Sequence, residues 1–307
     1  MRALVNRGDG TASIDMAEVP EPIPVDNEVL VDVGAMAVNR GELRLLSMRD
    51  QGWRPGQDVA GTVAVAAADG SGPPTGSRVV AWPEQAGWAE RVAVPTSHVA
   101  VLDDEVGLVE AATLPVAAMT ALRALRVGED ISGRRVLITG GAGGVGRFAV
   151  EIAAGWGAHV TAVASGSERA DGLGSLGAAD VVDDIEAAEG EYDLILESAG
   201  GSSLKAAVKL VAPKGTVVMF GNSSNEESRI SFGDFRGRPG ARIEAFFVYE
   251  SGEPPAFGDD LQLLADMVAA GRLHPQVGLE LAWSEANEAF GALGAREVNG
   301  KAVLLVG

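Results

Sequence analysis

Residues 136–149 read VLITGGAGGVGRFA. Val136, Leu137 and Ile138 suit a buried strand, the glycines permit a tight turn, and Phe148 and Ile152, with Ala149 and Ala153 beside them, mark the inward face of a following helix. The GWG at 155–157 ends that helix before a second apolar strand, HVTAVA. Two glycine patterns overlap in the turn. Gly141, Gly143 and Gly146 complete G-x-G-x-x-G, with Gly144 and Val145 inside it, while Thr139, Gly140, Gly144 and Gly146 read T-G-x-x-x-G-x-G. Glycine lets a backbone approach a pyrophosphate closely, and a helix N-terminus attracts its charge. In a strand, turn, helix, strand setting the motif points to dinucleotide binding.

Around this unit the texture is that of an α/β protein. VLITG, HVTAVA, ADVVD, YDLILESAG, GTVVMFGN and RIEAFFVY alternate with helical segments, which implies a parallel, doubly wound sheet of Rossmann type over residues 118–257. Before it, NEVLVDVGAMAVN, DVAGTVAVAAADG, GSRVVAWP and AGWAERVAVP read as short strands between Gly and Pro turns. After it come a helical DDLQLLADMVAAGRL, a second helix opening at Ser284, and a closing apolar strand, KAVLLV. A lone strand is not stable by itself, so this one is expected to rejoin the first sheet. The reading is a β-rich domain built from residues 1–117 and 258–307, with the dinucleotide unit inserted and GEPPAFGDD, 252–260, as a crossing segment.

The chain has 307 residues, which favours two domains. Its apolar runs fall short of a membrane span, and no secretory or lipidation pattern is visible, so a cytoplasmic protein without membrane contact is expected. Zero cysteines exclude disulfides and thiolate chemistry. With 24 basic against 43 acidic residues the formal charge is −19, which disfavours nucleic acid as a partner. The run Asp103, Asp104, Glu105 reads as a solvated charge cluster, and the glycine turn lacks the serine of a nucleophile elbow.

Enzymes that use NAD usually end the second strand of the unit with an acid that holds the ribose hydroxyls. Here the strand runs out through Ala164, Ser165, Gly166 and Ser167. Ser165 and Ser167 can donate hydrogen bonds and Arg169 can pair with a phosphate, offset by Glu168, so NADPH is favoured over NADH.

The T-G-x-x-x-G-x-G form belongs to short-chain dehydrogenases, which need a Tyr followed four residues later by Lys. Tyr192 and Tyr249 are followed at that distance by Leu196 and Glu253, so that chemistry is excluded. Instead, EVLVDVGAMAVNRGEL, PGQDVAG, AGWAERVAVP, EAATLPVAAMTAL, GGAGGVG, LGAADVVD, ILESAGG and NGKAVLLV follow one another in an order that resembles the zinc-free quinone oxidoreductase branch of the medium-chain dehydrogenase/reductase superfamily, nearly end to end. Zinc-dependent relatives carry Cys where this chain has Asn39 and His where it has Gln57, and His98, His159 and His274 are scattered, so no zinc is expected.

The resemblance implies a GroES-like β-rich domain and hydride transfer from NADPH to a quinone or an α,β-unsaturated carbonyl. An enoyl-thioester reductase and a non-catalytic NADPH-binding sensor or structural protein are the alternatives. It places Asn39 near the nicotinamide or substrate and Thr120 on the carboxamide, as the catalytic pair. Cofactor contacts fall to Gly141, Gly143, Gly144, Val145 and Gly146 at the pyrophosphate and to Ser165 and Arg169 at the adenosine phosphate. Gly221, Asn222, Phe246, Phe247, Asn299 and Lys301 border the cofactor, and Trp53 and Trp82 are candidate pocket walls. Two departures stand out. Arg44 replaces a tyrosine common in the branch, and Asp184 follows Asp183 where relatives place a tyrosine beside the ribose phosphate. A homodimer paired through RIEAFFVY is expected, with a small molecule as substrate.

Overall fold

Apolar residues at alternate positions build a sheet from the first hundred residues. In the computed structural model, which describes residues 1–250 and 256–307, β1 (Arg2–Asn6) and β2 (Ile14–Glu18) pair antiparallel as a hairpin. They are followed by β3 (Glu28–Val38), β4 (Asp58–Val65), β5 (Arg78–Ala81), β6 (Arg91–Pro95) and β7 (Val99–Val101). The 11-residue β3 is the hub: it carries β4 and β6 antiparallel at its sides.

Next, β8 (Arg135–Ile138), β9 (His159–Val163), β10 (Asp180–Val182), β11 (Tyr192–Glu197), β12 (Val211–Met219) and β13 (Arg242–Ala245) form a separate sheet. All pair in parallel, in the order β10-β9-β8-β11-β12-β13. Helix Gly144–Gly155 links β8 to β9, and helix Gly201–Leu210 links β11 to β12. Strand order therefore reverses between β8 and β11. In open α/β sheets ligands bind outside the carboxyl ends of the strands at such a reversal.

The chain closes with helix Phe257–Ala269, β14 (Val277–Ala282), helix Ala286–Gly294 and β15 (Lys301–Leu305). As expected, β15 returns to the first sheet, antiparallel to β3 with Ala302 opposite Val38 and Leu305 opposite Ala35. That sheet runs β14-β15-β3-β4-β5-β7. The chain thus divides into two compact units, Met1–Met119 with Gly252–Gly307, and Thr120–Ser251. The expected crossing segment lies outside the described residues as far as residue 255.

Strand β13 is shorter than RIEAFFVY. Its partner β12 ends at Met219, opposite Ala245, and the bond from Phe246 N–H to Met219 C=O at 2.9 Å closes the ladder before Phe247. Phe246 is buried, and Phe247 is 60% exposed. Among the described residues no helix is long and apolar enough to cross a membrane.

The core of the first unit gathers Met36, Leu46, Trp88, Phe290 and Leu304, and the Trp88 and Phe290 rings lie 5.3 Å apart. Leu304 is fully buried, so Leu304→Ala is expected to cost about 2–5 kcal/mol of stability. Urea unfolding of the full chain measures this loss.

Candidate functional site

At the strand reversal, Gly140 takes a φ of 64° and turns the chain off β8. The turn is tied to its neighbours by Gly141 N–H donating to Val163 C=O at 2.9 Å and Gly143 N–H donating to Gly140 C=O at 3.0 Å. A Cβ on Gly146 would collide with Gly140 O and lie 2.7 Å from Gly141 Cα, so only glycine lets the helix start this close to the turn. Arg147 N–H donates to Gly143 C=O at 3.0 Å. The amides of Gly144, Val145 and Gly146 precede that bond, which makes them the helix-start donors suited to a phosphate. Gly143, Gly144 and Val145 are half-buried, within reach of a ligand.

The other side of the crevice is organised by a carboxylate that sequence reasoning passed over. Glu197, fully buried at the end of β11, accepts from Ala199 N–H and Gly200 N–H, both at 3.0 Å, from Ser203 Oγ at 2.8 Å and from Thr139 Oγ1 at 3.3 Å. Ser198 N–H in turn donates to Thr139 Oγ1 at 2.9 Å. Glu197 therefore holds the turn after β11 and the start of the glycine turn in one network. Gly221 joins them, since a Cβ there would lie 3.1 Å from Ser198 O. Asn222 joins too: Ser224 Oγ donates to its Oδ1 at 3.2 Å, and that oxygen would clash with a Cβ on Gly200.

At the ends of β9 and β10 lies a cavity of about 200 Å³ lined by Ala164, Gly166, Ser167, Ala170, Val182 and Asp183. Ser165 is exposed and Arg169 half-buried. The end of β9 itself carries no acid, as expected, but Asp183, just past β10, accepts the Gly166 N–H there. Asp184 turns elsewhere and accepts from Glu186 N–H at 2.9 Å. A second guanidinium, unforeseen in the sequence, is Arg147: buried, it donates to Ala142 O at 3.3 Å and Asp171 O at 2.9 Å. Burial lowers its pKa, against the opposing Asp171 charge and with a smaller push in the same direction from Arg169.

The sheet-rich unit holds a charged cluster inside its core. Lys301 Nζ donates to Asn39 Oδ1 at 2.6 Å, to Asp58 Oδ2 at 2.8 Å and to Val38 O at 3.3 Å. Asn39 Nδ2 donates to Asp58 Oδ2 at 2.8 Å and to Glu42 Oε2 at 3.2 Å, and Asn39 N–H also donates to Glu42 Oε2, at 3.0 Å. Glu42 Oε1 accepts from Gly56 N–H at 3.1 Å and Gln57 N–H at 3.0 Å, and Asp58 Oδ1 accepts from Val116 N–H at 2.7 Å. Asp58 is fully buried, Glu42 and Lys301 nearly so. Burial, then the nearby Asp58 charge, pushes the Glu42 carboxyl up to about 8, against the opposing pull of Asn39 and Lys301.

A family model described as zinc-binding dehydrogenase matches residues 144–266. A chloroplast envelope quinone oxidoreductase homolog of Arabidopsis thaliana is 34% identical over 219 residues, 63% of this chain and 66% of that protein. The chain thus spans just under two thirds of that relative's length. A mitochondrial NAD(P)H oxidoreductase of Danio rerio is 31% identical over 280 residues, 82% of this chain and 71% of the relative. The chain belongs to the quinone oxidoreductase family of the medium-chain dehydrogenase/reductase superfamily. In fold it also matches the Escherichia coli quinone oxidoreductase complexed with NADPH, with a TM-score of 0.88 at 18% identity, covering 99% of this chain and 100% of that one.

The resemblance places the metal ligands of zinc-dependent relatives at the positions of Asn39 and Gln57. In this quinone oxidoreductase relative the Asn39 carboxamide oxygen and the Asp58 carboxylate already hold the Lys301 ammonium, and Gln57 Nε2 donates to Glu84 O at 3.2 Å. An amide oxygen and a carboxylate neutralised by a buried ammonium do not fit a zinc ion, which takes imidazole, thiolate or free carboxylate donors.

The remaining predicted positions disperse. Thr120 is 7% exposed and opens the described part of the second unit, while Asn299 is half-buried two residues before Lys301. Trp82 stacks on Phe257, with ring centres 4.2 Å apart, beside His98, whose pKa burial lowers. Trp53 Nε1 donates to Gln85 Oε1 at 3.1 Å, and Arg44 is exposed on the helix Arg40–Met48.

Gly146→Ala is expected to cost about 1–3 kcal/mol through overpacking of the turn, read by urea unfolding. A second outcome concerns Glu42. Its pKa is raised in the fold above the ordinary 4.5, so the folded chain holds that proton more tightly than the unfolded one. The resulting stability is full below the unfolded value and is lost as pH rises through about 8. Thermal midpoints measured from pH 5 to pH 9 are expected to fall over that range, and Glu42→Gln is expected to flatten this part of the profile.

Proposed function

We propose that the protein is a zinc-independent oxidoreductase that uses NADPH to reduce a quinone. The observation that carries this reading is the glycine turn at the reversal of the parallel sheet, where the amides of Gly144, Val145 and Gly146 stand ahead of the helix ladder. These amides would hold the pyrophosphate, Ser165 and Arg169 the adenosine phosphate, and Gly221 and Asn222 the chain between them. A reduced nicotinamide, when bound, supplies hydride. The protein's share is to bind it, orient it and keep water from the reacting face.

The Asn39 side chain bears on the choice of acceptor. Both hydrogens of its carboxamide are engaged by Glu42 and Asp58, and its oxygen is engaged by Lys301. It has no hydrogen left for an enolate oxygen, which the reduction of an activated alkene would develop. Reduced quinone oxygens take their protons from water and need no such donor. This supports a quinone over an α,β-unsaturated carbonyl.

The buried Lys301 ammonium beside Asn39 supports chemistry without zinc. A net charge of −19 argues against nucleic acid as partner. Among the described strands β13 pairs with β12 alone, so its outer edge supports a homodimer.

The test is anaerobic oxidation of NADPH, with NADH in parallel, by a quinone, an alkenal and an enoyl thioester, followed by nicotinamide absorbance. The expected outcome is turnover with the quinone, faster with NADPH. Turnover of the alkenal or thioester alone replaces quinone by alkene reduction, and tight NADPH binding with no turnover on any acceptor makes the protein a cofactor-binding sensor.

A further inference from the structure

The cavity at the ends of β9 and β10 contains a feature at odds with a simple preference for a phosphorylated ribose. It sits beside the glycine turn, since Gly141 N–H is bonded to Val163 C=O, the last residue of β9. Its volume of about 200 Å³ equals about seven waters by liquid volume, the scale of a sugar ring with its substituents. One wall is Asp183, held in place by the Gly166 N–H it accepts. A carboxylate is an acceptor only, so it can receive hydrogen bonds from a ribose diol. Toward a 2′-phosphate it is a like charge.

The cations nearby do not simply cancel it. Arg147 is buried and donates to the carbonyls of Ala142 and Asp171, which makes it part of the scaffold of the turn. Arg169 is half-buried, next in sequence to Glu168 and two residues from Asp171. The charge facing a 2′-phosphate is therefore mixed, and Asp183 is the acid with a fixed place on the cavity wall.

We infer that Asp183, acting from the end of the third strand of the unit, is the residue that sets cofactor selectivity: it reads the adenosine ribose diol and opposes the 2′-phosphate. The inference rests on the dinucleotide-binding reading above. It makes the preference for NADPH a shallow one, with NADH a working alternative.

The test uses the full chain, Asp183→Asn and Asp183→Ser, titrated calorimetrically with ADP-ribose and 2′-phospho-ADP-ribose. Both substitutions keep an oxygen for the Gly166 N–H and remove the charge. In the unaltered protein the 2′-phosphate is expected to improve affinity by less than about tenfold, and in both variants the ratio is expected to widen by about tenfold, through tighter binding of the phosphorylated ligand. Steady-state kcat/KM for NADPH over NADH is expected to move by the same factor. An unchanged ratio, or an equal loss for both ligands, overturns the assignment and leaves Asp183 a scaffold residue. If neither ligand binds the unaltered protein, the dinucleotide-binding reading falls and this inference falls with it.

Discussion

The ammonium of Lys301 fixes the interior of the sheet-rich unit. Placed at the start of β15, it meets Asn39, just past the end of β3, and Asp58, at the start of β4. One side chain thus links the closing strand of the chain to two strands near its beginning. A buried ion pair alone often fails to offset the desolvation of its charges. Here the remaining lone pairs are satisfied: Asp58 accepts from Val116 N–H and Asn39, and Glu42 accepts from two backbone amides and twice from Asn39. The cluster also orients Asn39 without ambiguity, because an ammonium at 2.6 Å can face only the carboxamide oxygen.

The parallel-sheet unit uses the same device at its strand reversal, with a carboxylate and no cation. Glu197 gathers two amides and two hydroxyls from both sides of the crevice. Each donor is short and attached to the turn it must hold, so the carboxylate fixes backbone rather than side chains. Close packing then takes over: Gly146 lies against Gly140 and Gly141, and Gly221 against Ser198, where any Cβ would force the strand ends apart. Together these contacts hold the Gly144 to Gly146 amides in place before any ligand arrives.

Much of this was legible in the sequence, and the exceptions have separate physical causes. The parallel unit was readable because its strands are apolar runs and its turn has few alternative uses. The return of β15 followed from the instability of a lone strand. Strand β14 was not foreseen, although Val277, Leu279 and Leu281 alternate with the exposed Gly278, Glu280 and Ala282. The pair Phe246 and Phe247 read as strand because both are apolar, whereas the ladder ends where β12 ends. Glu42, Asp58, Glu197 and Asp183 were the harder cases. In a chain with 43 acidic residues a carboxylate reads as solvated surface, and only the fold reveals which ones face amides inside.

That acidity also shapes how an anionic cofactor can be met. A net charge of −19 raises the electrostatic cost of bringing any dinucleotide to this surface. The glycine turn answers with groups that carry no formal charge. Backbone amides at a helix start offer partial positive charge at short range without adding lysines that neighbouring acids would pair and neutralise. Arg147 strengthens the turn from beneath by donating to the Ala142 carbonyl. Long-range repulsion is screened within about a Debye length, roughly 8 Å at physiological salt, whereas contacts to amides are not. Affinity in such a chain therefore has to come from close hydrogen bonding at the turn.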